Sequence, residues 1–295
     1  MLQLSQEMSA GPARIRVDVH GSEPLQSALA DTTFLDYRLA SVEISPDVTK
    51  PSADIVWDRE SDSKTIGYEG GVLTLAGEWY QGELQKVVVA VLALAMEAEG
   101  QHPFHSSAVR IADKTVMFMG GESNHGKSMC QIEVCRRGGL LVSTETTVTD
   151  ERGWAVMGSK SVFLKKRAKG TERADKASPE RGVALFFGDM PAMEEYHEVA
   201  DVDVVIVPAI DGNFETSVTE MIPFERQFQT FHSLQNYFLL NELLAPRLPM
   251  PLLDTPELRA RRAAFVERFA TRPYFFIRAA KPQALIDEVE KVLNR

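Results

Sequence analysis

The sequence predicts an α/β fold in two parts, a β-rich lobe over residues 13–100 and a mixed α/β domain over 101–295. Three observations lead there. From Ile15 to Leu75, short apolar strands recur between turn residues. At Gln81 the apolar period changes to that of a helix. Near the middle of the chain, the apolar strand TVMFM runs through a glycine-bounded loop directly into a helix.

Residues 1–12 are polar, with Ser, Gly and Pro, and read as a flexible tail. The strands that follow are RIRVDV, YRLASVEI, ADIVWD, KTIGYE and GVLTLAG, with YEGGVLTL the clearest hairpin. GELQKVVVAVLALAMEAEG reads as one helix ending at Gly100, apolar on most faces and therefore largely buried. SAVRIADKTVMFM reads as two strands joined by Ala112, Asp113 and Lys114, feeding the glycine loop. A helix from Lys127 to Arg137 follows, capped by Gly138, and then the strand LLVS. AVMG, SVFLKKR and VALFFG are further strands, the last two separated by a polar loop from Ala168 to Gly182. VDVVIVPAI is a continuous apolar run of the fully buried kind, and FERQFQTFHSLQNYFLLNELL a strongly amphipathic helix. The helix PELRARRAAFVERFA, the strand PYFFIRA and the helix QALIDEVEKVLNR close the chain.

With 295 residues, 44% of them hydrophobic, the chain needs no staple to form a core. Its formal charge of −10 argues against nucleic acid as a partner, because phosphate contacts require a basic surface. The longest apolar run, Val87 to Met96, is about half of the roughly 20 residues a bilayer crossing needs. The two cysteines, Cys130 and Cys135, match neither a zinc pair nor a redox pair. A soluble cytoplasmic protein with no membrane partner is the expectation.

The loop Gly121, Glu122, Ser123, Asn124, His125, Gly126, Lys127, Ser128 has the form GxxxxGK[ST]. Glycines allow the positive φ that turns successive N–H groups inward toward phosphate oxygens. Lys127 then reaches the β and γ phosphates, Ser128 ligates Mg²⁺, and the helix that begins here, with Met129 in its first turn, aims its positive end at the anion. So short a pattern also arises by chance; the strand before it and the helix after it weigh against that. His125 and Asn124 stand where smaller residues are more usual.

Phe104 to Glu145, FHSSAVRIADKTVMFMGGESNHGKSMCQIEVCRRGGLLVSTE, resembles the C-terminal domain of the HPr serine kinase/phosphorylase family, a group of kinases of serine, peptide or small-molecule hydroxyls. The resemblance implies a phosphoenolpyruvate-carboxykinase-like P-loop domain with a mixed sheet, binding ATP and Mg²⁺ and often assembling into homo-oligomers. On the sequence alone, His105 reads first as a buried structural histidine; the resemblance reverses that order and places it near the reacting phosphoryl group. The family's strand ends in paired aspartates, one a base and one a metal ligand. Here Thr144 and Glu145 hold those places, so the motif diverges: Glu145 keeps a carboxylate for the metal, and the base becomes Glu145, His105 or another group.

Lys165 and Arg167 share one face of their strand and resemble the family's basic residues near the site; a solvated strand edge is the competing reading. Asp150 is expected to cap a turn, Arg226 and His232 to lie on the surface or at a lobe contact, and Trp57, Trp79 and Tyr80 to be core or lobe-interface aromatics. The expected function is Mg²⁺-dependent transfer of the γ-phosphoryl of ATP to an unidentified hydroxyl-bearing acceptor. The alternatives are a nucleotide-binding sensor or scaffold without transfer, and a slow ATPase.

Overall fold

The structure, a computed structural model, describes residues 2–30, 32–120, 125–164, 183–186, 193–237, 248 and 251–295. They belong to two compact units: Met1–Pro103 with Leu234–Phe265, and Phe104–Ser233 with Val266–Arg295. The single border expected after residue 100 is therefore replaced by three crossings, because the chain returns to the first unit late in the sequence.

The first unit is built on a six-stranded sheet in the order β3-β1-β2-β4-β6-β5, formed by β1 (Leu2–Ala10), β2 (Ala13–His20), β3 (Val42–Ser45), β4 (Ile55–Asp58), β5 (Thr65–Glu69) and β6 (Val72–Ala76). β2, β4 and β6 run parallel, while β1, β3 and β5 attach antiparallel at the flanks. The expected flexible tail is a correction: residues 2–10 are a full strand, paired from Leu2 to Ala10 with β2. Met8 and Ala10 are wholly buried, and Gln6 is accepted into the core because its Oε1 takes the Ala28 N–H at 2.9 Å.

YRLASVEI is likewise not one strand. Tyr37 to Leu39 end the short helix α1 (Thr33–Leu39), Ala40 and Ser41 adopt positive φ of 62° and 48°, and only then does β3 begin. Two consecutive left-handed residues make the sharp break that neither a helix nor a strand can contain. α2 (Gln81–Ala98) buries most of its faces, as its composition requires, and Leu84, Val87 and Val88 converge with Val17, Ile55, Trp57 and Leu75 of the parallel strands. Trp57 and Trp79 are core residues whose indole N–H groups donate to the carbonyls of Gly77 and Ala76, whereas Tyr80 is 67% exposed and lies outside the core.

The second unit carries a six-stranded sheet ordered β10-β8-β9-β16-β18-β17. Its strands are β8 (Ser107–Ile111), β9 (Lys114–Phe118), β10 (Leu140–Ser143), β16 (Val204–Ile210), β17 (Ser217–Glu220) and β18 (Tyr274–Ala279). β8 and β9 form the expected hairpin, with Ala112 at φ 55° in its turn, and β9, β16 and β18 are parallel. α3 (Lys127–Arg136) and α6 (Pro282–Leu293) contribute Cys130, Val134, Leu285, Ile286 and Val289 to a core shared with Val116, Phe118, Ile206 and Ile277. β7 (His102–His105), β11 (Thr146–Thr149), β12 (Trp154–Gly158) and β15 (Ala200–Asp201) form a smaller sheet, and β13 (Ser161–Leu164) pairs with β14 (Val183–Phe186). Among the described residues, α4 (Pro223–Gln235) and α5 (Pro256–Phe269) complete the helices; the longer helix expected to run to Leu244 stops at Gln235, where Asn236 and Tyr237 form a turn, and its last residues, 238–244, lie outside the described residues. Among the described residues, no helix is long and apolar enough to cross a membrane. The architecture is thus α/β with mixed sheets, as the sequence pattern predicts.

Candidate functional site

At the carboxyl end of β9 the chain leaves the sheet through Met119, whose N–H donates to Ile206 O, and Gly120, at φ 78°. A Cβ on Gly120 would stand 2.5 Å from Gln229 Oε1 and 3.1 Å from Val207, so the position admits only glycine. Gly121, Glu122, Ser123 and Asn124 lie outside the described residues. The chain resumes at His125, whose carbonyl accepts the Ile210 N–H at 3.2 Å and ties the loop to the end of β16. Gly126 has φ 111°, and a Cβ there would meet Ile210 Cδ1 at 2.7 Å; both its conformation and its packing exclude a side chain.

α3 starts immediately afterwards, the Cys130 N–H donating to Gly126 O at 2.9 Å. Lys127, Ser128 and Met129 therefore occupy its first turn, where backbone N–H groups have no intrahelical acceptor and the helix dipole is positive. Lys127 is buried. Burial holds its amine below the usual lysine range, opposed by the charge of Glu145. Ser128 is half-buried, and the Met129 side chain is 42% exposed, leaving its backbone as the part available in the first turn.

Glu145 sits in the bend between β10 and β11, and its backbone is fixed on both sides. Its carbonyl accepts the Ser106 N–H at 3.1 Å, and its own N–H donates to Ser159 Oγ at 3.0 Å. Its carboxylate Oε1 lies 3.2 Å from His105 Nε2, the two side chains being 15% and 17% exposed. The His105 carbonyl in turn accepts the Ser233 hydroxyl at 3.0 Å. His105 is thus oriented through its backbone while its imidazole addresses an acid.

Thr144 is turned the other way. Its hydroxyl donates to the Ser159 carbonyl at 3.1 Å and lies 3.0 Å from Ser159 Oγ, and its N–H donates to the same carbonyl at 2.9 Å. Gly158 permits this closeness, since a Cβ there would lie 2.4 Å from Ser143 Cβ. Below the bend, Thr147 Oγ1 links Ser106 Oγ at 2.8 Å and Ser143 Oγ at 2.6 Å, and Lys160 Nζ donates to the carbonyls of Val142, Leu141 and Tyr196. Burial lowers the Lys160 amine's pKa.

The structure brings Lys127, His105 and Glu145 into one region and places Ser128 next along the same helix. Lys165 and Arg167, and the loop Ala168 to Gly182, lie outside the described residues. Asp150 does shape a turn: its carboxylate accepts the N–H groups of Arg152 and Trp154. Arg226 is not a free surface cation, being held by Met221 O, Arg272 O and Glu220. The sequence reading missed Ser159, Ser106 and Ser233. Each acts on a partner that only the fold brings near, Ser233 on a residue 128 positions away. Among the described residues, no three or more His, Cys, Asp or Glu side chains cluster as a metal site. A divalent cation here would rest on Glu145, the Ser128 hydroxyl and the phosphates it accompanies, which is the usual way Mg²⁺ is held with a nucleotide. No protein-family model matches the chain, and no curated protein matches it.

Proposed function

We propose that the second unit is a phosphoenolpyruvate-carboxykinase-like P-loop domain that binds ATP with Mg²⁺ and transfers the γ-phosphoryl group to a hydroxyl of a peptide serine or a small molecule. The observation that carries this reading is the convergence of Lys127 and His105 on Glu145 beside a strand–loop–helix phosphate motif. Residues Gly121 to Met129 cradle the phosphates, with Lys127 at the β and γ positions. Ser128 and Glu145 hold the metal, which when bound neutralises charge on the phosphate oxygens. The acceptor oxygen attacks the γ phosphorus, the bond to the β–γ bridging oxygen breaks, and the acceptor proton passes to the His105–Glu145 pair. Lys165 or Arg167, both outside the described residues, offsets charge on the transferring group. Transfer of this kind rests on positioning and charge neutralisation, so it tolerates a change in the base.

The free thiols of Cys130 and Cys135 and the net charge of −10 favour a cytoplasmic protein whose partners are a nucleotide and its acceptor. A homo-oligomer accords with the family resemblance. A second reading, nucleotide binding without transfer or with slow hydrolysis only, is favoured by Thr144, whose hydroxyl is committed to Ser159. Calorimetric titration with ATP and ADP, with and without Mg²⁺, tests the binding step. Saturable binding that strengthens with Mg²⁺ and disappears in Lys127→Ala supports the site; no binding at millimolar nucleotide defeats both readings. γ-Labelled ATP then separates them, with label appearing on a hydroxyl acceptor in the first case and only as phosphate, or not at all, in the second.

A further inference from the structure

α4 is mounted inside out. Over Pro223–Ser233 the side that faces the second unit's interior carries polar residues: Arg226, Gln229, Thr230 with its hydroxyl 2.6 Å from the Tyr274 hydroxyl, and Ser233; the fully buried apolar Leu234 follows. The apolar stripe instead faces outward. Phe224 is 72% exposed, Phe228 53% and Phe231 39%, at spacings i, i+4 and i+7, with Ile222 just before the helix at 58%. The rings of Phe224, Phe228 and His232 stack along the helix, with centroids 6.5 and 6.0 Å apart. An amphipathic helix normally turns such a stripe inward, and contiguous exposed aromatics of this kind mark an interaction surface. Beside the stripe, Thr219, Met221, Phe224, Phe228, Gln229 and Phe276 line a groove that offers a socket for one anchoring side chain.

The surrounding charge selects the occupant. From Glu215 to His232 the chain has three exposed carboxylates, Glu215, Glu220 and Glu225, and one guanidinium, that of Arg226, which pairs with Glu220, so the stretch keeps an excess of two negative charges. Arg278, on the strand beside β17, lies over the Phe214 ring. A second copy would set acid against acid, and an anionic membrane would be repelled in the same way. We propose that this face docks an amphipathic helical segment of another protein, apolar on one side and flanked by Lys or Arg.

The test uses a fluorescein-labelled 14-residue peptide of Leu and Lys with leucines at i, i+3, i+4 and i+7, read by anisotropy. Two controls accompany it: the same composition with the leucines dispersed around the helix, and a Leu/Glu version. Micromolar binding of the first peptide is expected. The affinity falls tenfold or more in Phe228→Ser and at high salt, and both controls bind at least tenfold more weakly. Glu215→Lys, which leaves the stripe intact, weakens the Leu/Lys peptide and strengthens the Leu/Glu one. Indifference to Phe228→Ser in a variant with an unchanged circular dichroism melt, or equal binding of the dispersed control, overturns the proposal. So does a dimer in sedimentation that Phe228→Ser dissolves, which would assign the face to a second copy. Phe228-dependent binding to phosphatidylcholine vesicles would assign it to lipid and overturns the proposal equally.

Discussion

His105 Nε2 stands 3.2 Å from Glu145 Oε1, with less than a fifth of either side chain exposed. An acid and an imidazole this close and largely shielded from water interact more strongly than in bulk, which suits the pair to handling a proton. Glu145→Gln keeps the shape and removes the charge. Turnover of γ-labelled ATP is expected to fall by about 10²- to 10⁴-fold, while nucleotide binding without Mg²⁺ is retained or tightened. The gain in affinity that Mg²⁺ brings should shrink in calorimetric titrations. An unaltered Mg²⁺ gain would remove Glu145 from the metal.

Lys127 gives the site a pH signature. Burial lowers its pKa below the 10.5 of an exposed lysine, against the pull of Glu145. In the window between that lowered value and 10.5, the unfolded chain binds more protons at this group than the folded one. Stability from this group therefore rises with pH through the window and is least below it. A phosphate group arriving beside the amine favours its charged form. Nucleotide binding in that window must then take up protons, seen as a dependence of binding heat on buffer ionisation enthalpy at alkaline pH. Lys127→Met should abolish the uptake; equal uptake in that variant would place the titrating group elsewhere.

The surroundings of Thr144, a buried residue, are built for a hydroxyl. An aspartate there would face the Ser159 carbonyl, which now accepts from the threonine hydroxyl and N–H at 3.1 and 2.9 Å. Thr144→Asp is expected to destabilise by about 3–5 kcal/mol, as an uncompensated buried charge does, with no gain in transfer. Thr144→Ser should stay within about 1 kcal/mol, since the hydrogen bond survives. Urea midpoints read both. A stable Thr144→Asp protein that transfers phosphate faster would show that the bend can turn its side chain toward the loop that the proposed function assigns to the phosphates.

What could be read from the sequence was local. The β8–β9 hairpin, the glycine loop and α3 each depend on residues within a few positions, so turn chemistry and apolar period announce them. β1 was hidden because Gln6 interrupts its alternation on the core side and is satisfied only by Ala28, 22 residues on. α1, at 7 residues, is too short for a helical period to register. The outward stripe of α4 has the same sequence whichever way it faces; only the contacts of Arg226, Thr230 and Ser233 set its orientation. In the site, the motif names Lys127 and Ser128, but the hydroxyls that fix Glu145 and His105 come from distant serines with no motif of their own.

The late return of the chain to the first unit rests on Arg262, which is 2% exposed and sits between two carboxylates. Its Nε lies 2.9 Å from both oxygens of Glu97, itself buried, and its Nη atoms reach Asp254 at 2.8 and 3.1 Å. Beside this cluster His102 stacks on Phe265 with centroids 3.6 Å apart, its Nδ1 4.0 Å from Glu97. The pairing spans 165 positions, so losing it leaves Glu97 in the core without its cation and the return segment without its anchor. Arg262→Met is expected to cost about 3–5 kcal/mol in urea unfolding. The double change Glu97→Gln with Arg262→Met should cost much less than the sum of the singles, because it removes the stranded charge along with its partner. Additive single effects would mean that the two side chains are each solvated or paired elsewhere, and that the return segment is held by apolar packing alone.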